Sequence, residues 1–330
     1  MRVRRQRGIK VRHGRVKRPL KVWRTVSVLG DCRLVAHQAV GQGSNKGISV
    51  TFSGVFHSVL SSATRRPDVA RGQGAAEQAE LRRCEMYRKS FPTSEVAIPA
   101  SALQNRAVAK WVRDHRLSVE IRTGEDIAVA IAAGIDPAQM TVHADGLTES
   151  DLRATVSLAP GRIVVSSIAH IDLLAAAVEH RTQAVLARVI DGNAPALALA
   201  DGRYTFHDGF RLDSTELDRV VESLFNYSRL DLVGLYCDVG TYEHDFVSYP
   251  AAIGQLITEM TQIRRQHGVV LPLLGLGGGR AIPSTDWSVA LPELASQIDD
   301  SLDEACATMR FPRPIIVLSP GQAITEQHAA

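Results

Sequence analysis

An α/β chain built as a (β/α)8 TIM barrel is the architecture the sequence predicts, and three observations predict it. From about residue 75 onward, short continuous apolar runs alternate with amphipathic segments. The runs number eight. Together they occupy about 245 residues, the size of an eight-unit barrel. The runs are Val96–Ala100, Ser118–Arg122, Met140–His143, Arg162–Ser166, Ala184–Ile190, Asp231–Cys237, Val269–Leu276 and Pro314–Leu318. Continuous apolar strands separated by helices indicate a parallel sheet covered on its outer face. A doubly wound open sheet fits the same periodicity.

The helical patterns between the runs are Leu103–His115, Gly124–Ala133, Glu149–Leu158, Ile168–His180, Ser214–Asn226, Phe246–His267 and Leu291–Met309. Ala75–Ser90, rich in good helix formers, reads as a further helix ahead of the first strand. Thr123 and Thr148 stand where N-caps are expected. The chain ends twelve residues after the eighth strand, so the last helix is expected to be short or absent. The flank between strands eight and one would then lack its cover.

Composition narrows the function classes. The chain has 330 residues, 45% hydrophobic and 22% charged, which excludes a wholly disordered or collagen-like protein. It has no apolar run long enough for a membrane-spanning helix. Cys32, Cys84, Cys237 and Cys306 are far apart and form no CxxC pair. A zinc ribbon and a disulfide framework are therefore not expected, and a reducing cytoplasm fits best. Residues 1–30 hold eleven Lys/Arg and no Asp/Glu, so against a net charge of +3 the remainder carries −8. That arm lacks the interleaved aromatic residues of a nucleic-acid stacking platform. No apolar stretch follows it, as a secretory signal would require. Residues 1–75 therefore read as a basic, poorly ordered extension and residues 76–330 as the barrel, with neither nucleic acid nor membrane as expected partner.

In barrels of this kind chemistry sits at the C-terminal strand ends. Those positions hold Ser101, Arg122-Thr123-Gly124-Glu125, His143-Ala144-Asp145-Gly146, Asp238-Val239-Gly240-Thr241, Gly277-Gly278-Gly279 and Ser319-Pro320-Gly321-Gln322. Three successive glycines let backbone N–H groups approach an anion closely. After the seventh strand they read as a phosphate cradle, against a tight turn without a ligand. His143 reads equally as a site residue or as a satisfied histidine of the barrel mouth. Asp238, Glu243, His244 and Asp245 crowd one loop, which reads as a solvated acidic loop rather than a metal site. Cys237 reads as a small buried residue.

The stretches Phe91–Leu103, Val119–Asp126, His143–Leu152, Gly234–Thr241, Leu276–Gly279 and Ser319–Gln322 follow one another in an order that resembles the pyridoxal-phosphate-dependent decarboxylases of the diaminopimelate/ornithine/arginine group. The third-strand pattern looks most like the diaminopimelate decarboxylase branch. The resemblance covers residues 77–325. It implies an alanine-racemase-like barrel, pyridoxal 5'-phosphate as cofactor, and a small-molecule amino acid as ligand. It also implies a homodimer, or a heterodimer with a paralogue.

At several positions this sequence departs from the family's pattern. The family's first strand ends in Y-A-x-K-A, whose lysine forms the Schiff base, and an ungapped match places Ser101 there. Imine formation needs a primary amine, which serine does not carry. The chain has six lysines, Lys10, Lys17, Lys21, Lys46, Lys89 and Lys110. None follows Lys110, so strands two to eight bring no amine to the mouth. The family's sixth strand ends H-x-H-I-G-S, and Asp238 stands at its ring-stacking histidine while Thr241 keeps the hydroxyl of its phosphate-binding serine. In the family's E-P-G-R, the glutamate partners the pyridine nitrogen and the arginine binds the phosphate. Ser319 and Gln322 stand there. Losing that arginine removes a charge-assisted contact of about 1.5–3 kcal/mol. The family's β-sheet domain would follow Ile324, and the sequence reads as a barrel lacking it. The expected function is a catalytically degenerate decarboxylase barrel. Residual or altered lyase activity and a scaffold for an active paralogue are the alternatives.

Overall fold

The computed structural model describes residues 23–29, 33–38, 47–51, 70–191, 209–212, 215–240, 245–278 and 287–325. Two compact units divide the chain between Val50 and Thr51. The first is built around a three-stranded sheet of β1 (Trp23–Leu29), β2 (Arg33–Gln38) and β3 (Gly47–Thr51) in that order, with β1 and β2 antiparallel. These strands lie where the sequence shows little periodicity.

The second unit is the barrel. Its first strand has two halves, β4 (Glu95–Val96) and β5 (Ile98–Pro99), either side of Ala97. It continues through β6 (Val119–Ile121), β7 (Met140–His143), β8 (Arg162–Val165), β9 (Gln183–Ile190), β11 (Leu230–Asp238), β12 (Leu273–Gly277) and β13 (Ile315–Leu318). A short β10 (Phe210–Arg211) pairs with the end of β9. Each barrel strand pairs in parallel with the next. The first strand closes the ring. Its β4 half pairs with β13, its β5 half pairs with β6, and between them the Ala97 N–H donates to the Leu318 carbonyl. All eight apolar runs are thus barrel strands, and the open-sheet alternative does not hold.

The helices follow in register: α1 (Ala70–Ser90), α2 (Arg106–His115), α3 (Gly124–Ala132), α4 (Glu149–Leu158), α5 (Ile168–Ala177), α6 (Thr215–Asn226), α7 (Tyr249–His267), α8 (Trp287–Met309) and α9 (Gln322–Thr325). Thr123 and Thr148 cap α3 and α4, accepting from Asp126 N and Asp151 N. Thr123 forms a full capping box with Asp126. Outward-facing strand residues such as Val119, Ile121, Val142, Ile163 and Val165 are buried beneath these helices.

The flank between strands eight and one is covered, contrary to expectation. Helix α1, ahead of the barrel in sequence, packs against α2 and α8 and touches α9. Arg83 Nε donates to the Ile324 carbonyl at 2.6 Å, and Asn105 Nδ2 donates to the Glu77 carbonyl at 2.7 Å. Tyr87 meets Trp287 edge-on, with ring centroids 5.8 Å apart. A helix contributed from upstream covers this flank together with the short α9, because an exposed apolar flank can be buried by any amphipathic segment that reaches it.

Candidate functional site

Strand residues alternate between the helix-facing and the interior side. Branched aliphatics ordinarily dominate the interior of such barrels, and here buried charged side chains, Glu120, Arg188 and Asp238, stand among them. Part of the apolar filling is a small group, Val164, Leu186 and Tyr236, with Leu273 beside it. Below, at the N-terminal end, Arg162 is ion-paired with Glu95, which also accepts from Ser118. Above, at the mouth, stands a network of ionisable side chains.

Its members are Glu120 and Arg122 at the second strand, His143 and Asp145 at the third, Arg188 on the fifth, and Tyr236 and Asp238 on the sixth. Arg122 Nη2 lies 2.9 Å from Glu120 Oε1 and 3.1 Å from Asp238 Oδ1. It also donates to the Tyr236 hydroxyl at 2.8 Å. Arg188 Nη1 lies 2.6 Å from Asp145 Oδ2, and its Nη2 lies 2.7 Å from Asp238 Oδ2. His143 Nε2 lies 3.0 Å from Glu120 Oε1, and the imidazole sits edge-on to the Tyr236 ring at 4.8 Å. The Tyr236 hydroxyl donates to Asp238 Oδ1 at 3.0 Å. Arg188, His143 and Tyr236 are fully buried, and Arg122 keeps 37% of its side chain exposed. Three carboxylates therefore face two guanidinium groups and one imidazole, and each carboxylate and guanidinium is held by at least one partner.

The electrostatics follow from this packing. Burial alone would raise the Glu120 carboxyl, but the Arg122 guanidinium and the His143 contact outweigh it and hold it at about 2. Burial likewise opposes ionisation of Asp238, and Arg122 with Arg188 overcomes it, so its carboxyl lies well below the usual range. Burial pushes the Tyr236 phenol far up, so it stays a donor at neutral pH.

Acid sensitivity is the direct consequence. Both carboxyls are depressed in the folded state, so the unfolded chain binds protons that the native one does not. The Glu120 contribution is complete above the ordinary carboxyl value of 4.5 and disappears as pH falls towards 2, and that of Asp238 is lost at lower pH still. Glu120 alone supplies on the order of 3 kcal/mol. Near-ultraviolet circular dichroism is expected to hold at pH 5 and collapse as pH drops between those limits. A native signal unchanged down to pH 2 would contradict the ion-paired network.

Two glycines make room for it. A Cβ on Gly277 would lie 1.9 Å from the Tyr236 hydroxyl and 2.3 Å from Asp238 Oδ1. A Cβ on Gly275 would lie 2.5 Å from Tyr236 Cδ2. Gly277 is thus the last residue of β12 and lies under the network. Gly278 follows with φ of 76°, and Gly279 lies outside the described residues.

The other candidate residues fall in different places. Ser101 is exposed, in the 3-10 turn Ala100–Gln104 that follows the first strand. Ser319 is 1% exposed; its N–H donates to the Leu276 carbonyl, while its hydroxyl has no hydrogen-bond partner among the described residues. Gln322 opens α9. Thr241, Glu243 and His244 lie outside the described residues. Asp238 and Asp245 are not in a solvated loop but buried, at 4% and 5% exposure. Among the described residues no group of three metal-ligating side chains forms. Cys237 is buried, as expected, and burial raises its thiol far above the ordinary range. His143 is resolved as a member of the network.

The described lysines are Lys89 and Lys110. Lys89 is exposed in the last turn of α1, and Lys110 is exposed on α2, paired with Asp114. Glu120, Arg188 and Tyr236 belong to no site motif in the sequence, and Arg122 is marked only by its place at a strand end. The available signal was a charged residue inside an otherwise apolar strand, as in Val119-Glu120-Ile121 and Ala187-Arg188-Val189, which requires a buried partner.

Comparison with known proteins places this arrangement. Residues 79–326 match the family described as "Pyridoxal-dependent decarboxylase, pyridoxal binding domain". A diaminopimelate decarboxylase from Actinosynnema pretiosum is 30% identical over 246 residues, covering 73% of this chain and 55% of that protein. One from Corynebacterium efficiens is 28% identical over 272 residues, covering 78% and 59%. Among solved structures, diaminopimelate decarboxylase from M. jannaschii superposes with a TM-score of 0.61 at 15% identity, covering 75% of this chain and 60% of that one. Lysine decarboxylase from Selenomonas ruminantium gives 0.59 at 18% identity, covering 75% and 61%. The chain spans somewhat more than half the length of these relatives. With its closed parallel barrel and a family match over most of its length, the chain belongs to the pyridoxal-dependent decarboxylase family, through that family's pyridoxal binding domain.

Proposed function

We propose that this chain is a member of its family that does not decarboxylate amino acids. The observation that carries the proposal is the position of its amines. Among the described residues the lysines are Lys89 and Lys110, both exposed on helices, and the first strand delivers Ser101 instead. With no primary amine at the mouth among the described residues, these residues form no protein imine, and without an imine the cofactor's ring is not tethered where it would act as an electron sink.

The other described residues at the mouth also do not fit pyridoxal phosphate. Asp238, at the ring-stacking position, is an anion with no stacking face, and it is held by Arg122 and Arg188. The space beside Gly277 is taken by the Tyr236 hydroxyl and the Asp238 carboxylate. Ser319 offers a neutral hydroxyl where a carboxylate would stabilise the pyridinium proton.

Carbon dioxide release tests the proposal. With added pyridoxal phosphate and meso-diaminopimelate, lysine, ornithine or arginine, release is expected at the rate of free cofactor alone. Turnover above that blank would overturn the proposal.

A second reading is supported by the rim. Ile168, Val247 and Val289 follow the fourth, sixth and seventh strands, on the mouth side, and are 44%, 82% and 52% exposed. Exposed apolar residues around a mouth suit a docking surface for a second barrel of this family. Light scattering of the purified chain, alone and mixed with a diaminopimelate decarboxylase, is expected to show association. A solitary monomer in both samples would discard this reading.

A further inference from the structure

We infer that Asp238 is a built-in anion, whose carboxylate fills a two-arginine site at the barrel mouth and keeps external anions, the phosphate of pyridoxal phosphate included, out of it. The inference deepens the proposed loss of cofactor chemistry and rests on that reading. Asp238 Oδ1 lies 3.1 Å from Arg122 Nη2, and its Oδ2 lies 2.7 Å from Arg188 Nη2. The Tyr236 hydroxyl adds a third donor at 3.0 Å. One carboxylate thus sets its Oδ1 in hydrogen bonds from Arg122 and the phenol and its Oδ2 in ion-pair contact with Arg188, as a bound anion would. Two guanidinium groups drawn to one point repel each other unless an anion lies between them. The arginines are themselves held by other groups, Arg122 by Glu120 and Arg188 by Asp145, so the site persists when its central anion is removed. Arg122 is 37% exposed, which leaves the site an edge open to solvent. The neighbouring Gly277 offers no vacant cradle, because the same carboxylate and phenol occupy the space a Cβ would need.

Asp238→Gly deletes the carboxylate and leaves a space the shape of acetate. In a buffer of large organic ions its melting midpoint is expected to fall by roughly 5–10 °C. Acetate or inorganic phosphate is expected to restore much of that fall saturably, while neutral acetamide does not. The wild-type midpoint is expected to stay unchanged under the same additions. Equal rescue by acetamide would show that volume rather than charge is replaced, and would overturn the inference. Calorimetric titration of the wild-type chain decides the matter even where the variant does not fold. No saturable binding of phosphate or pyridoxal phosphate that Arg122→Gln abolishes is expected, and such binding would overturn the inference. Binding of that kind without turnover would sink this inference alone. Turnover would sink the proposed function with it.

Discussion

Arg188→Ala is expected to destabilise the barrel by about 3–5 kcal/mol, the cost of stranding buried charge when one partner of an internal ion pair is removed. Arg188 is completely buried and bridges two carboxylates on different strands, Asp145 after the third and Asp238 on the sixth. Its removal leaves both without that cation, and Asp238 then keeps Arg122 and the Tyr236 hydroxyl, both on Oδ1. Arg188→Lys returns the charge but not the two-pronged geometry, so it is expected to recover only part of the loss. Urea denaturation followed by fluorescence measures both. A loss below about 1 kcal/mol for Arg188→Ala would mean that the network is not formed as described.

Gly277→Ala is expected to cost about 2–4 kcal/mol, through steric overlap rather than charge. The added methyl would meet the Tyr236 hydroxyl and ring carbon Cζ and the Asp238 carboxylate. The ring cannot swing away cheaply, since it is fully buried and its hydroxyl is engaged by Arg122 and Asp238. Gly254→Ala is the matched control. Gly254 lies inside α7, and a Cβ there meets nothing within 4 Å. The same substitution there is expected to stabilise by about 0.5–1 kcal/mol, because alanine loses less chain entropy in a helix. Equal effects at the two positions would contradict the close packing of Tyr236 over β12.

The strands were legible because each is a short apolar run, and the eight runs differ from the eight barrel strands only at their ends. Thr123 and Thr148 were legible as caps because their signal is local. The role of α1 was not, since helix propensity marks Ala75–Ser90 as helical without saying which flank it covers. The mouth was half legible. Ser101 and Asp238 stood out through their ordered place in a resemblance. The partners of Asp238 come from strands two, five and six, and nothing in a linear sequence pairs Arg122 with Arg188 across the barrel. Gly277 shows the same limit. A run of glycines has the same appearance whether it cradles an anion or, as at Gly277, clears space for the Tyr236 ring.

Borohydride reduction in the presence of pyridoxal phosphate, followed by peptide mass mapping, tests the absence of a mouth amine most directly. The expected result is no stoichiometric phosphopyridoxyl adduct on any peptide and no imine absorbance that survives gel filtration. One adduct per chain on a single lysine, Lys89, Lys110 or one of the four upstream, together with such a band, would contradict it.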